Sequence, residues 1–228
     1  LAENAAINRV EFKFNTEAID IKKIDDGFII KTNQGEIKTK YIVNAAGVYA
    51  DKFHNMVSDK KINITPRKGE YFVLDHFKQP FVSHVIFPTP SEKGKGILVT
   101  PTTHSNYLVG PSSEFVDDKD DLATDKLTLD NIKANASKLV KNIPFGYVIR
   151  QFSGLRATGS THDFVINEKD GFVNLGGIES PGLASAPAIA KEAVRLVNNV
   201  LNLEENQDFN FFLQILYHNF CAYQSKQN

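Results

Sequence analysis

Two turns rich in small residues mark places where this chain can do chemistry. In GGIESPGLASAPAIAKEAV (176–194), Gly176 and Gly177 close an apolar strand and Pro181 and Gly182 make a sharp turn. Ala184, Ser185 and Ala186 then open a helix. A helix N-terminus presents unpaired N–H groups and a partial positive charge, where phosphates, carboxylates and electron-rich ring edges bind. In YIVNAAGVYAD (41–51) a strand ends in Ala45, Ala46 and Gly47 and passes straight into a helix. Close strand–helix packing explains either turn as well, on the residues alone. Among reactive side chains, Arg67, Lys68 and Glu70 share one segment, His104 lies in TPTTHSN, and Arg156 lies in SGLRA. A guanidinium suits phosphate or carboxylate because its donors form a planar fork. Histidine titrates near neutral pH and can serve as a base. An exposed or structural role is the alternative for each of these side chains. Glu179 on its own reads as structural, pairing with a backbone donor. Cys221 has no spaced partner, and no metal-ligand spacing occurs, so no metal is expected.

The elements that must hold these residues alternate between short strands and helices. Residues 1–8 read as the end of a helix, with no capping residue before it. RVEFKF (9–14), AIDIKKI (18–24), GFIIKT (27–32) and EIKTKYIVNAAG (36–47) alternate as strands, with a tight turn at NQG (33–35). A short helix follows at 49–57. Residues 64–75 read as a strand broken at Lys68-Gly69, and 84–88, 96–101 and 106–110 as three more strands. The acidic stretch 117–125 reads as a solvated loop, and 126–143 carries a helical period that stops before Pro144. Residues 147–157 read as a strand running into a glycine turn. Residues 163–177 form a hairpin turning at EKDG, and 187–201 a helix with Pro187 in its first turn and Ser185 as cap. Residues 211–217 crowd apolar and aromatic side chains that suit a C-terminal helix. The pattern is mixed α/β or α+β.

The 228 residues are 42% hydrophobic and 23% charged, which suffices for a real core. A net charge of -1 offers no basic surface, so nucleic acid is not an expected partner. No apolar run reaches membrane-spanning length. A single cysteine forms no internal disulfide, which fits a reducing, cytoplasmic compartment.

The order of VNAAGVYAD, SGLRA and GGIESPGLASAPAIA resembles the middle and C-terminal parts of the D-amino-acid oxidase-like FAD-dependent oxidoreductases. RKGEYFVLD, GILVTPTTHSNYLVGPSSE and the DDKDD loop resemble the glycerol-3-phosphate dehydrogenase branch of that family, close to L-2-hydroxyglutarate oxidases. The resemblance implies FAD as cofactor and a small anionic substrate, glycerol 3-phosphate oxidised to dihydroxyacetone phosphate. The alternatives are an L-2-hydroxyglutarate or amino-acid oxidase, or a non-catalytic remnant. It implies an FAD-binding domain over residues 1–65 and 150–201, and an inserted substrate domain with a mostly antiparallel sheet over 66–149. Residues 202–228 form an atypical tail. Arg156 matches the arginine that faces the substrate anion, Arg67 offers a second ligand, and His104 is a candidate base. Gly177, Ile178, Glu179, Ser180, Gly182 and Leu183 match the segment along the flavin. Ala45, Ala46 and Gly47 match the turn beside the FAD phosphates, and Ala18 the strand that meets adenine.

The family's GxGxxG loop is absent, and GKG at 94–96 does not replace it. The expectation is therefore an N-terminally truncated fragment that binds FAD weakly or not at all and is inactive alone. The intact enzyme would sit in the cytoplasm, peripheral to a membrane. The segment after residue 210 departs from the family, which suggests a frame shift or an unrelated terminus. A missing first strand would leave a sheet edge open to pairing, hence a homodimer.

Overall fold

The computed structural model describes residues 1–89, 96–204 and 206–210. In chain order the elements are α1 (Ala2–Ile7), β1 (Ala18–Ile24), β2 (Gly27–Thr32), β3 (Gly35–Thr39), β4 (Ile42–Asn44) and α2 (Ala50–Val57). Then come β5 (Ile64–Leu74), β6 (Leu98–Pro101), β7 (Tyr107–Gly110), β8 (Glu114–Phe115) and α3 (Lys126–Leu139). Last are β9 (Val148–Gly159), β10 (Val165–Lys169), β11 (Phe172–Gly176) and α4 (Gly182–Leu201). The mixed α/β pattern read from the sequence is present, with most strand pairs antiparallel.

Three sheets organise the described residues. β1, β2 and β3 form an antiparallel meander. β10, β11 and β4 form a second sheet in which β11 and β4 run parallel. Buried Ile21, Phe28, Ile42 and Phe172 join these two sheets, with Phe53 and Val57 of α2 packed against them. The third sheet is centred on β5, which pairs with β7 and β8 on one edge and along its whole length with β9 on the other. One face of this sheet is the main core: Phe72, Leu74, Val99, Tyr107 and Val109 meet Leu129, Ile132 and Ala136 of α3. The other face of β5–β9 carries Arg67 and Arg156.

Several expectations need correction. Residues 9–14 form no strand: Arg9 and Asn15 adopt left-handed backbone (φ 70 and 54) at either end, which halts extension. Residues 84–88 contribute a single bridge, Ile86 to Val99. β5 does not break at Gly69, and β9 runs straight through Gly154, because each strand has the other as a continuous partner. Helix α4 starts at Gly182 and contains Pro187, so Ser185 is not its cap. Proline there forfeits the bond to the Leu183 carbonyl, which the exposure of Leu183 leaves to solvent. The hairpin at 163–177 is as read, turning on Asp170 and Gly171, both with positive φ. The expected helix at 211–217 and the departure after residue 210 lie outside the described residues.

The acidic loop at 117–125 is largely exposed, as read, and it is also tied down. Lys68 Nζ donates to Asp121 Oδ2 at 2.8 Å and to the Ala123 carbonyl at 3.0 Å. Ser153 Oγ donates to the Leu122 carbonyl at 2.8 Å, and Lys119 Nζ meets Asp51 Oδ1 at 2.5 Å. A hydrogen bond to Asp120 pushes the Tyr49 phenol up to about 12. The Lys68 bond holds Asp121 below its ordinary 3.8, and the same bond holds Lys68 above its ordinary 10.5. The Asp121 contribution is thus present above 3.8 and lost as pH falls through the lowered value. The Lys68 contribution is present below 10.5 and lost as pH rises through the raised value. The NMR signal of the Ala123 amide should therefore keep its Asp121-bonded position between pH 3.8 and 10.5, apart from any small step from the raised Glu70 carboxyl, and leave it only beyond those limits. Loss of the bonded position inside that window contradicts this account. Lys68→Met should release the loop throughout.

Candidate functional site

Two parallel strands build the mouth of the site. Val43-Asn44 ends β4 and stands in register with Val173-Asn174 of β11, which runs on to Gly176. Asn44 Nδ2 donates to Asn174 Oδ1 at 2.9 Å and to the Ala50 carbonyl at 2.8 Å. Asn174 Nδ2 donates to the Val165 carbonyl at 3.0 Å. Both asparagines are buried. This pair fixes side by side the two turns that leave the strands, Ala45-Ala46-Gly47 and Gly176-Gly177-Ile178. The carboxyl ends of parallel strands are where open α/β sheets take ligands. Gly47 has φ 58, and nothing lies within 4 Å of where its side chain would begin, so backbone is open to approach there. Gly177 also has positive φ (65), and there a Cβ would meet the Asp163 carbonyl at 3.1 Å, so that glycine serves packing beside the end of β9 as well.

Beside this mouth lies a pair of arginines. Arg67 on β5 and Arg156 on β9 stand directly opposite each other, hence on one face of the sheet. Like charges placed so are unfavourable unless something compensates them. One carboxylate does so in part. Arg67 Nη2 donates to Glu179 Oε2 at 2.7 Å, and Thr158 Oγ1 donates to the same oxygen at 2.7 Å. Glu179 thus pairs with side chains rather than with a backbone donor, and it ties the turn before α4 to the arginine face. Arg156 Nη2 donates to the Ser112 carbonyl at 2.8 Å. Ser112 is itself held by Glu70: its Oγ accepts from the Glu70 N–H at 2.9 Å, and its N–H donates to the Glu70 carbonyl at 3.2 Å. The Arg156 guanidinium crosses Gly69, where a Cβ would come within 2.2 Å of Nη2. Gly69, read as a strand break, is instead the space that Arg156 occupies.

The electrostatics favour an added anion. Burial first, and then the neighbouring Arg67, pull the Arg156 guanidinium below its ordinary value. The buried Nε of Arg67 has no hydrogen-bond partner among the described residues. Two guanidiniums share one carboxylate, leaving a site with one positive charge in excess. A phosphate or carboxylate would relieve the repulsion and supply acceptors.

The remaining residues named from sequence fall elsewhere. His104 is exposed on the β6–β7 turn, whose Asn106 side chain bonds to the Leu74 carbonyl at the far end of β5. Arg67 is seven residues back along that strand, roughly 23 Å at ordinary strand rise. The structure therefore does not bring His104 to the arginines, and a role as base at that site has no geometric support. Ala18 opens β1 in the separate three-stranded sheet. Ser180 and Leu183 lie in the turn and first turn of α4, with Leu183 almost fully exposed. Asn44, Asn174, Ser112 and Thr158 escaped the sequence reading. The repeated Val-Asn just before a glycine turn is the signal that would have found the asparagine pair.

The chain is 46% identical over 214 residues to a glycerol 3-phosphate dehydrogenase of Caloramator mitchellensis, covering 92% of this chain and 45% of that one. It is 35% identical over 218 residues to a glycerol 3-phosphate oxidase of Mycoplasma pneumoniae, covering 90% of this chain and 56% of that one. The structure superposes on the L-alpha-glycerophosphate oxidase of Mycoplasma pneumoniae, solved with FAD bound, with a TM-score of 0.84 at 32% identity. That match covers 92% of this chain and 56% of that one. The chain thus spans about half the length of the relatives it matches. The model of the DAO family, FAD dependent oxidoreductases, matches residues 1–196. With the family model matched over most of its length, the chain belongs to the FAD dependent oxidoreductase family.

Proposed function

We propose that this chain carries the substrate-seating half of an FAD-dependent dehydrogenase or oxidase acting on glycerol 3-phosphate. The observation that carries this reading is the Arg67–Arg156 pair with its single carboxylate, set beside the two turns at the ends of β4 and β11. In the same proposal, residues 1–65 and 150–201 belong to the FAD-binding domain, from which Arg156 faces the substrate, and 66–149 form the substrate domain.

The residues present fit the cofactor. Gly47 leaves backbone open beside one turn, and α4 starts immediately after the other. When bound, FAD would supply the acceptor for a hydride equivalent. Ala45, Ala46 and Gly47 would hold its phosphates, and Gly177, Ile178, Ser180, Gly182 and Leu183 would lie along its ring. The N-terminus of α4 adds partial positive charge there. Arg156 and Arg67 bind the substrate anion and fix the position of its carbon skeleton, which is the proximity part of catalysis. Glu179 holds Arg67 at a fixed angle and joins the two regions.

Calorimetric titration of the purified chain tests the substrate. Glycerol 3-phosphate should bind at least tenfold more tightly than glycerol. Stronger binding of L-2-hydroxyglutarate or of an amino acid would move the assignment to a hydroxy-acid or amino-acid oxidase. Failure of every anion to bind would contradict the reading.

A further inference from the structure

The exposed face of β5–β9 holds a ladder of three matched pairs. Antiparallel register sets Arg67 opposite Arg156, Gly69 opposite Gly154, and Tyr71 opposite Phe152. Alternate residues of a strand share a face, so all six lie on one side. The Tyr71 and Phe152 rings stack, with centroids 5.1 Å apart and planes 8° from parallel. The two glycines between the charged and aromatic pairs are not equivalent. Gly69 is filled by the Arg156 guanidinium, as described above. At Gly154 nothing lies within 4 Å of the position a Cβ would take, and the residue is exposed. Its φ is not positive, so the backbone does not require glycine there. Glycine inside a strand weakens it and marks a close approach by something else. Neither conformation nor packing within the described residues accounts for this one.

We propose that Gly154 is the floor of the substrate seat and that the Tyr71–Phe152 stack is its far wall. This deepens the reading of the arginine pair as the anion site and rests on it. The anion lies on Arg156 and Arg67. The carbon body lies flat over Gly154 and stops against the aromatic edge. Two residues of antiparallel strand separate Gly154 from each neighbouring pair, about 7 Å. Arg156 leans one row toward the wall, across Gly69, so the free length is that of a short polyol phosphate. A longer or branched organic anion meets Tyr71 and Phe152.

Gly154→Val tests the floor, because valine suits a strand and adds bulk only where the structure is open. Affinities of wild type and variant would be measured by calorimetry for inorganic phosphate and for glycerol 3-phosphate. The expected result is a loss of at least tenfold for glycerol 3-phosphate, with phosphate changed less than twofold. Equal affinities for both ligands in the two proteins would overturn the floor and leave the anion reading standing. Equal losses of both ligands would also overturn it, by showing that the arginines were disturbed. If wild type bound neither anion, the anion reading itself would fail and take the proposal with it. Should Gly154→Val not fold, Gly154→Ala supports the floor if the loss is again confined to glycerol 3-phosphate, and overturns it if affinity is unchanged.

Discussion

Arg156→Met should abolish most anion binding by this chain while leaving its fold intact. Charge-assisted hydrogen bonds contribute about 1.5–3 kcal/mol each, so losing the guanidinium should weaken glycerol 3-phosphate by roughly 10- to 100-fold. Arg67→Met should cost less, because Arg67 already shares its charge with Glu179. Arg156→Lys keeps the charge but not the fork, and should fall between wild type and Arg156→Met. Gly69→Ala makes the same point without touching a charge. The added methyl occupies the space of Nη2 and must push the guanidinium off the sheet. Its anion affinity should drop toward that of Arg156→Met. Unchanged affinity in both Arg156→Met and Gly69→Ala would show that the arginine pair is structural.

The second large effect is on stability. Asn174 is fully buried, accepts from Asn44 and donates to the Val165 carbonyl. Asn174→Ala removes both bonds and leaves the Asn44 amide only the Ala50 carbonyl, for a loss of about 2 kcal/mol. In a chain of this size that lowers the melting temperature by roughly 4–8 °C. Asn44→Ala should be similarly costly, and the double variant should cost clearly less than the sum, since the two side chains share one bond. Additive losses would mean that the pair does not act as a unit. A change under about 0.5 kcal/mol in Asn174→Ala would show that the parallel strands are held by their backbone alone.

What could be read from the sequence follows the range of the interactions. The meander β1–β3 and the hairpin β10–β11 rest on local alternation and on turn residues such as Asp170-Gly171, so they were legible. Arg67 and Arg156 were visible as candidates, but their opposition depends on the register of two strands far apart in sequence. Gly69 misled for the same reason. Locally it is a strand breaker, whereas in the fold it makes room for a side chain from β9. Pro187 read as a helix start because that is where proline costs least, yet α4 tolerates it where the affected carbonyl faces water. The loop at 117–125 looked solvated by composition. Lys68 binds its Asp121 and its own Lys119 reaches Asp51, contacts that exist only once β5, α2 and β9 are assembled. His104 had a suitable side chain and no way to show from sequence that it sits on a distant turn.

The most direct measurement is an NMR titration of the isotopically labelled chain with FAD, carried to millimolar concentration. The account predicts saturable shifts concentrated in the amides of Ala45–Tyr49 and Gly177–Leu183, the turns that leave β4 and β11. No shift in either turn at millimolar FAD, or saturable shifts confined to other parts of the chain, would contradict the placement of the cofactor beside the arginine pair.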